Sequence, residues 1–128
     1  MSVELTLLVW AVALAFVQML IAVWGAKEQV GLEKLIGNRD DVPKITGWAG
    51  RAERAHRNML ESLVLFAALV LVAALVRRSN AMTVLGAHLF FWGRLAYAVI
   101  YVAGIPWART GVWAGSVLGL VLIFLQLV

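Results

Sequence analysis

Four long apolar runs divide this chain, at residues 5–25, 62–76, 81–103 and 111–128. Each approaches the roughly 20 residues that a helix needs to cross a bilayer. The second is lengthened at its start by a charged stretch, residues 51–61, that leads straight into it. Residues 26–46 form the one long polar segment, where Gly31, Gly37, the Asn38-Arg39-Asp40-Asp41 cluster and Pro43 break any long helix. This segment is expected to fold over one mouth of the bundle. The connection around residues 77–80 is short, so the second and third helices form an antiparallel hairpin. A second short turn carries Pro106 and Arg109, with Thr110 placed to cap the fourth helix. The pattern predicts an all-α membrane protein, a bundle of four transmembrane helices in a single domain spanning residues 1–128.

Composition agrees, since 63% of residues are apolar and only 14% are charged, too few for a soluble domain of 128 residues. The first run starts beside Glu4 rather than a basic residue and stays apolar as far as Trp24, so it reads as a retained helix and not as a cleaved signal. Lys27, Lys34, Arg39, Lys44, Arg51, Arg54, Arg57 and Arg109 fall on the side of the first and third connections, against Arg77 and Arg78 on the other. That asymmetry places the first and third connections in the cytoplasm and both termini outside; with no targeting motif in the sequence, a bacterial inner membrane is the expected location. The net charge of +4 follows from this topology and from an anion site. Four spanning helices leave no basic soluble module for nucleic acid. The chain has no cysteine, and its two histidines, His56 and His88, sit on different helices without metal-ligand spacing, so no metal is expected. The six tryptophans lie mostly near helix ends, where interfacial anchoring accounts for them. Gly111, Gly115 and Gly119 on the fourth helix, and Gly86 and Gly93 on the third, are read as helix-packing positions, within or between subunits.

The chemistry is concentrated at the start of the second helix. At 100° per residue, Arg51, Arg54, Arg57, Asn58 and Glu61 share a sector of about 120°, and Ala52, Ala55, Met59 and Leu63 take the opposite side. Residues 62–76 supply only about 22 Å of helix against a hydrocarbon core of about 30 Å. Arg57, Asn58 and Glu61 must therefore be immersed. On the third helix Arg94, Tyr97 and Tyr101 follow at i, i+3 and i+7, on one face and at matching depth. Ionisable groups at that depth mark a functional site by default. An internal ion-pair lattice, with Glu61 shared by Arg57 and Arg94 and Glu53 paired with Arg57, is the bland alternative. It fails on numbers: Arg51, Arg54, Arg57, Arg94 and Arg109 face only Glu53 and Glu61.

A ligand with two or more carboxylates and one ammonium would complete that balance. Guanidinium forks would take the carboxylates, Glu61 the ammonium and Asn58 an amide. Glutathione has this pattern of groups, and it brings the thiol that the chain lacks. Each unit by which a thiol pKa falls below about 8.5 needs about 1.4 kcal/mol of thiolate stabilisation, which one arginine and a tyrosine hydroxyl in a shielded site can supply.

At these residues the chain resembles the MAPEG family, the membrane-associated proteins of eicosanoid and glutathione metabolism. The resemblance rests on Glu53-Arg54, Arg57-Asn58 and Glu61 within ERAHRNMLE, on Arg94 with Tyr101, and on Arg109 after the turn. It extends over essentially the whole chain in length and layout. It implies a homotrimer with sites between subunits, open both to the cytoplasm and to the bilayer. Glutathione would enter as cosubstrate from water, and a lipophilic electrophile or lipid from the membrane. Carried over by position, Arg54, Asn58 and Glu61 bind glutathione, and Arg51, Arg57, Arg94, Tyr97 and Tyr101 line or support its pocket. Arg109 stands at the sulfur, assisted by Tyr101. Ser62 stands where one branch often has tyrosine, and Tyr97 where some relatives have histidine, so no eicosanoid substrate is assigned.

Three functions compete on this reading. The leading one is a membrane glutathione transferase of the detoxification kind. The second is a protein that binds glutathione or lipid without turning it over. The third is a small multidrug transporter, a class that depends on a carboxylate deep in its first helix, where this chain offers only Gln18.

Overall fold

The computed structural model describes residues 1–128. Five helices make up the chain: α1 (Val3–Val30), α2 (Leu32–Ile36), α3 (Gly47–Leu75), α4 (Ala81–Ala103) and α5 (Pro106–Leu127). All but the short α2 are long and apolar enough to cross a membrane. Most large apolar side chains outside the core are exposed on the helix surfaces, among them Trp10, Phe16, Leu20, Val64, Val99 and Phe124. That distribution suits lipid, where a helix satisfies its own backbone and can present apolar groups outward.

Small residues set the packing. On α1 the buried positions are Glu4, Leu7, Ala11, Ala15, Gln18, Ala22 and Gly25, a seam at steps of three and four. It lies against α3, whose own buried seam begins Ala49, Ala52, Ala55 and Met59. Without a hydrophobic drive between helices in lipid, such close backbone approach gains dispersion contacts instead. Further along, Phe66 of α3 stacks on Phe90 of α4 at 4.1 Å between ring centroids, and Leu7, Val70, Ala87 and Ile123 complete the core around them. Helix α5 packs along α4, touches α3 lightly and does not reach α1.

The helix ends carry recognisable stops. Gly31, at φ 85°, ends α1, so the helix continues five residues past the apolar run on Ala26, Lys27, Glu28, Gln29 and Val30, residues that favour helix without needing lipid. The connection that follows is closed by Gln29, whose side-chain amide donates to the Thr46 carbonyl at 2.6 Å and accepts from the Thr46 N–H at 3.0 Å. At the other end of α3, the Arg78 N–H reaches the Ala73 carbonyl and Arg77 takes the left-handed conformation. Asn80 and Thr83 then open α4 with a reciprocal capping box.

The expected start of the fourth helix and its Thr110 cap are corrected here. Helix α5 starts at Pro106, not Gly111, because Gly104 adopts φ 81° and closes α4, and Pro106 is already suited to a first helical position. Thr110 is therefore inside the first turns of α5, and its hydroxyl donates to the Pro106 carbonyl rather than capping. Of the glycine stripe on α5, only Gly119 packs within the protomer. Gly119 meets Gly86 so closely that a Cβ on Gly86 would lie 2.6 Å from the Gly119 carbonyl oxygen, whereas Gly111 and Gly115 have nothing within 4 Å. Steps of four residues drift about 40° around a helix of 3.6 residues per turn. The buried seam runs Ser116, Gly119 and Ile123 instead.

Gly86→Ala should therefore lower thermal stability in detergent by about 1–3 kcal/mol, because a Cβ there would press on the Gly119 carbonyl oxygen at 2.6 Å and on the Ile123 side chain at 2.8 Å. Gly111→Ala should leave protomer stability unchanged or raise it by up to about 1 kcal/mol. Equal melting shifts for the two variants would contradict the α4–α5 packing described here.

Candidate functional site

The polar stripe of α3 meets α4 and the start of α5 at the end of the bundle where α1 finishes. Arg94 is the anchor. Its side chain is only 1% exposed, and its Nη2 donates to Asn58 Oδ1 at 2.7 Å. Its guanidinium also lies over the Tyr97 ring, 4.2 Å from the centroid. Its Nε and Nη1 have no hydrogen-bond partner and no access to solvent. Arginine has donors only, so the Asn58 amide must turn its oxygen to Arg94, which leaves its NH2 group for other partners.

Tyr101 sits one turn beyond Tyr97, with the two rings edge to face at 5.4 Å. Arg54 Nε donates to the Tyr101 hydroxyl oxygen at 3.1 Å. The phenolic proton is then free to be donated elsewhere. Over the same ring lies Arg109, its guanidinium carbon 4.8 Å from the centroid. Asn58, Tyr97, Tyr101 and Arg109, with Thr110 and Trp113, line one cavity of about 390 Å³. Four of the nine expected site residues are thus brought to one space, and Arg54 reaches it through Tyr101.

The remaining four are placed differently. Arg94 stands behind the cavity and fixes Asn58 and Tyr97. Arg51 donates from Nε to the Val102 carbonyl at 3.0 Å, neutralising the C-terminal end of α4. Arg57 pairs with Glu53 at 2.9 Å, and both side chains are largely exposed, an arrangement worth about 0–1 kcal/mol. Glu61 is exposed on the protomer surface and makes no ion pair. Of the alternative ion-pair lattice only the Glu53–Arg57 pair forms, and Glu61 is not shared: Arg94 is turned inward to Asn58, and Arg57 reaches back one turn to Glu53. Of the five arginines around the site, only Arg57 has a carboxylate within 4.0 Å.

A second cavity, of about 420 Å³, lies where the first connection folds over the start of α3, as expected of that segment. Arg39, Lys44, Glu53, Arg54 and Arg57 are among its lining residues. Arg54 lies between the two spaces.

A family model, described as the MAPEG family, matches residues 7–128. The chain belongs to this family. No curated protein and no solved structure gives a match. In this MAPEG chain the sequence missed Thr110 and Trp113 as lining residues. They follow Arg109 at one and four positions on α5, a relation visible only once the helix is known to begin before Arg109.

Removing the partner of a buried guanidinium should be costly. Asn58→Leu is expected to lower stability by about 1.5–3 kcal/mol, the worth of a hydrogen bond to a charged group. Adding Arg94→Met should recover part of that loss, because the buried charge goes with it. Strictly additive losses in a double-mutant cycle of melting in detergent would contradict the coupling.

Proposed function

We propose that this protein is a membrane glutathione transferase, in which Arg109 and Tyr101 stabilise the glutathione thiolate for attack on a lipophilic electrophile. The observation that carries the reading is the unbalanced charge around the cavity. Four guanidiniums, those of Arg51, Arg54, Arg94 and Arg109, have no carboxylate partner, and membership in the MAPEG family supports a protein of the glutathione and eicosanoid kind. The two carboxylates of glutathione answer that deficit. Its amides suit the free NH2 group of Asn58. Its ammonium suits Glu61.

The thiol would lie near Arg109 and the Tyr101 hydroxyl. Arg54 donates to the tyrosine oxygen, so Tyr101 keeps its own proton for a hydrogen bond to sulfur. As the S–H proton leaves to water, the positive charge of Arg109 stabilises the sulfur anion. With an aryl halide, sulfur forms a bond to carbon and halide departs with its electron pair. Arg57 and Arg51 shape the entrance, and Arg94 holds Asn58 and Tyr97 in place.

A homotrimer would complete the site. Glu61 is an unpaired carboxylate on the outer face of a membrane helix, and such a group is costly facing lipid. Gly111 and Gly115 leave open space on the same end of α5, suited to a neighbouring helix. Covering this face with a second protomer would shield Glu61 and wall the cavity toward the bilayer.

Glutathione added to the purified protein should raise a thiolate absorbance in the near ultraviolet. Arg109→Leu should remove that band and lower turnover of a chloronitrobenzene-type electrophile at least about tenfold, as expected for one unit of lost thiol acidity. Glutathione affinity should change less. Glu61→Gln should weaken affinity and leave the band at saturation. Tight binding with a silent spectrum in the native protein would instead favour a glutathione- or lipid-binding protein without turnover.

A further inference from the structure

A second polar site lies at the far end of the bundle, where α1 begins and α3 turns into α4. Glu4 is 3% exposed, more deeply buried than any other carboxylate in the chain. One of its oxygens, Oε2, accepts from the Ser79 hydroxyl at 2.6 Å and from the Thr83 hydroxyl at 2.9 Å. The other, Oε1, is buried and has no partner. Glu4 lines a cavity of about 290 Å³ together with Arg77, Arg78, Ser2 and Ser79. Neither arginine comes within 4.0 Å of a carboxylate. Arg78 donates one N–H to the Gln126 carbonyl at 2.6 Å, and Arg77 makes no side-chain hydrogen bond.

A buried carboxylate oxygen without a donor beside two guanidiniums without an anion calls for a ligand carrying both charges. The placement at the ends of spanning helices sets this cavity at headgroup depth. We propose that it binds the headgroup of a phosphoethanolamine lipid, with the primary ammonium donating to Glu4 Oε1 and the phosphodiester held by Arg77 and Arg78. The choice of amine follows from the lining. A quaternary ammonium has no N–H to give to Oε1, and no aromatic ring is present to hold it by cation–π attraction. A purely anionic headgroup suits the arginines but sets like charge against Glu4. The site is separate from the proposed glutathione pocket and does not rest on it.

Native mass spectrometry of the full-length protein after exchange into lipids of one acyl composition tests this. The probes are phosphatidylethanolamine, its N-methyl and N,N-dimethyl forms, phosphatidylcholine and phosphatidylglycerol. Retention should fall as N–H groups are replaced, with phosphatidylethanolamine kept at least about tenfold better than phosphatidylcholine, the worth of a charge-assisted hydrogen bond. Glu4→Gln should abolish that preference, and Arg77→Ala with Arg78→Ala should lower retention of every phospholipid. Should Glu4→Gln fail to fold, the methylation series on the unaltered chain decides alone. Equal retention of ethanolamine and choline lipids, as expected if a proton rather than an ammonium satisfies Oε1, would overturn the proposal. So would equal retention of phosphatidylglycerol, or displacement of the lipid by equimolar free phosphoethanolamine.

Discussion

The arrangement depends on a guanidinium that has no carboxylate, buried where α4 meets the polar stripe of α3. Arg94 is held by one side-chain amide and one aromatic face, and two of its nitrogens have no partner at all. Burying a charge on such terms is unfavourable, and the Asn58 hydrogen bond and the Tyr97 ring offset only part of the cost. Its surroundings are closely packed: the small-residue seam of α1 lies against α3, and Gly93 of α4 meets Ser116 of α5. Fixing Arg94 fixes Asn58 and Tyr97. Those in turn define one wall of the cavity that Tyr101 and Arg109 complete.

The same logic explains why the site lies where the helices leave the apolar layer. Charged groups at the start of α3 extend the helix beyond its apolar part, so the polar stripe enters at the interface and ends near Glu61. The opposite end of the bundle repeats the principle on a smaller scale, with Glu4 buried among hydroxyls and two arginines nearby.

Much of this was legible in the sequence, for physical reasons. Apolar length fixed the four spans, and helical spacing put Ala52, Ala55 and Met59 inside and the arginine stripe opposite, as found. Spacing put Arg94 and Tyr97 level with Glu61 and Tyr101 level with Arg57; the two polar faces do meet, but about one turn earlier on α3, with Arg94 on Asn58 and Tyr101 on Arg54. What could not be read was partner choice. Arg57 had two carboxylates in reach by spacing and takes Glu53; Arg94 had Glu61 in reach by depth and takes Asn58. Rotation of a side chain inward or outward depends on the neighbouring helix, which periodicity does not specify. In sequence Glu4 signals only that the first helix is retained, since its partners Ser79 and Thr83 lie far along the chain. The start of α5 was misplaced because Pro106 resembles a turn residue as readily as a first helical residue.

The central claim is that the cavity beside α3 and α4 lacks anionic partners and takes them from its ligand. Calorimetric titration of the detergent-solubilised protein with glutathione and with its diethyl ester, which keeps the thiol and masks both carboxylates, tests that claim most directly. The account predicts binding of glutathione and a loss of at least about a hundredfold for the ester, the equivalent of roughly 2.7 kcal/mol. Equal affinity for the two would contradict it.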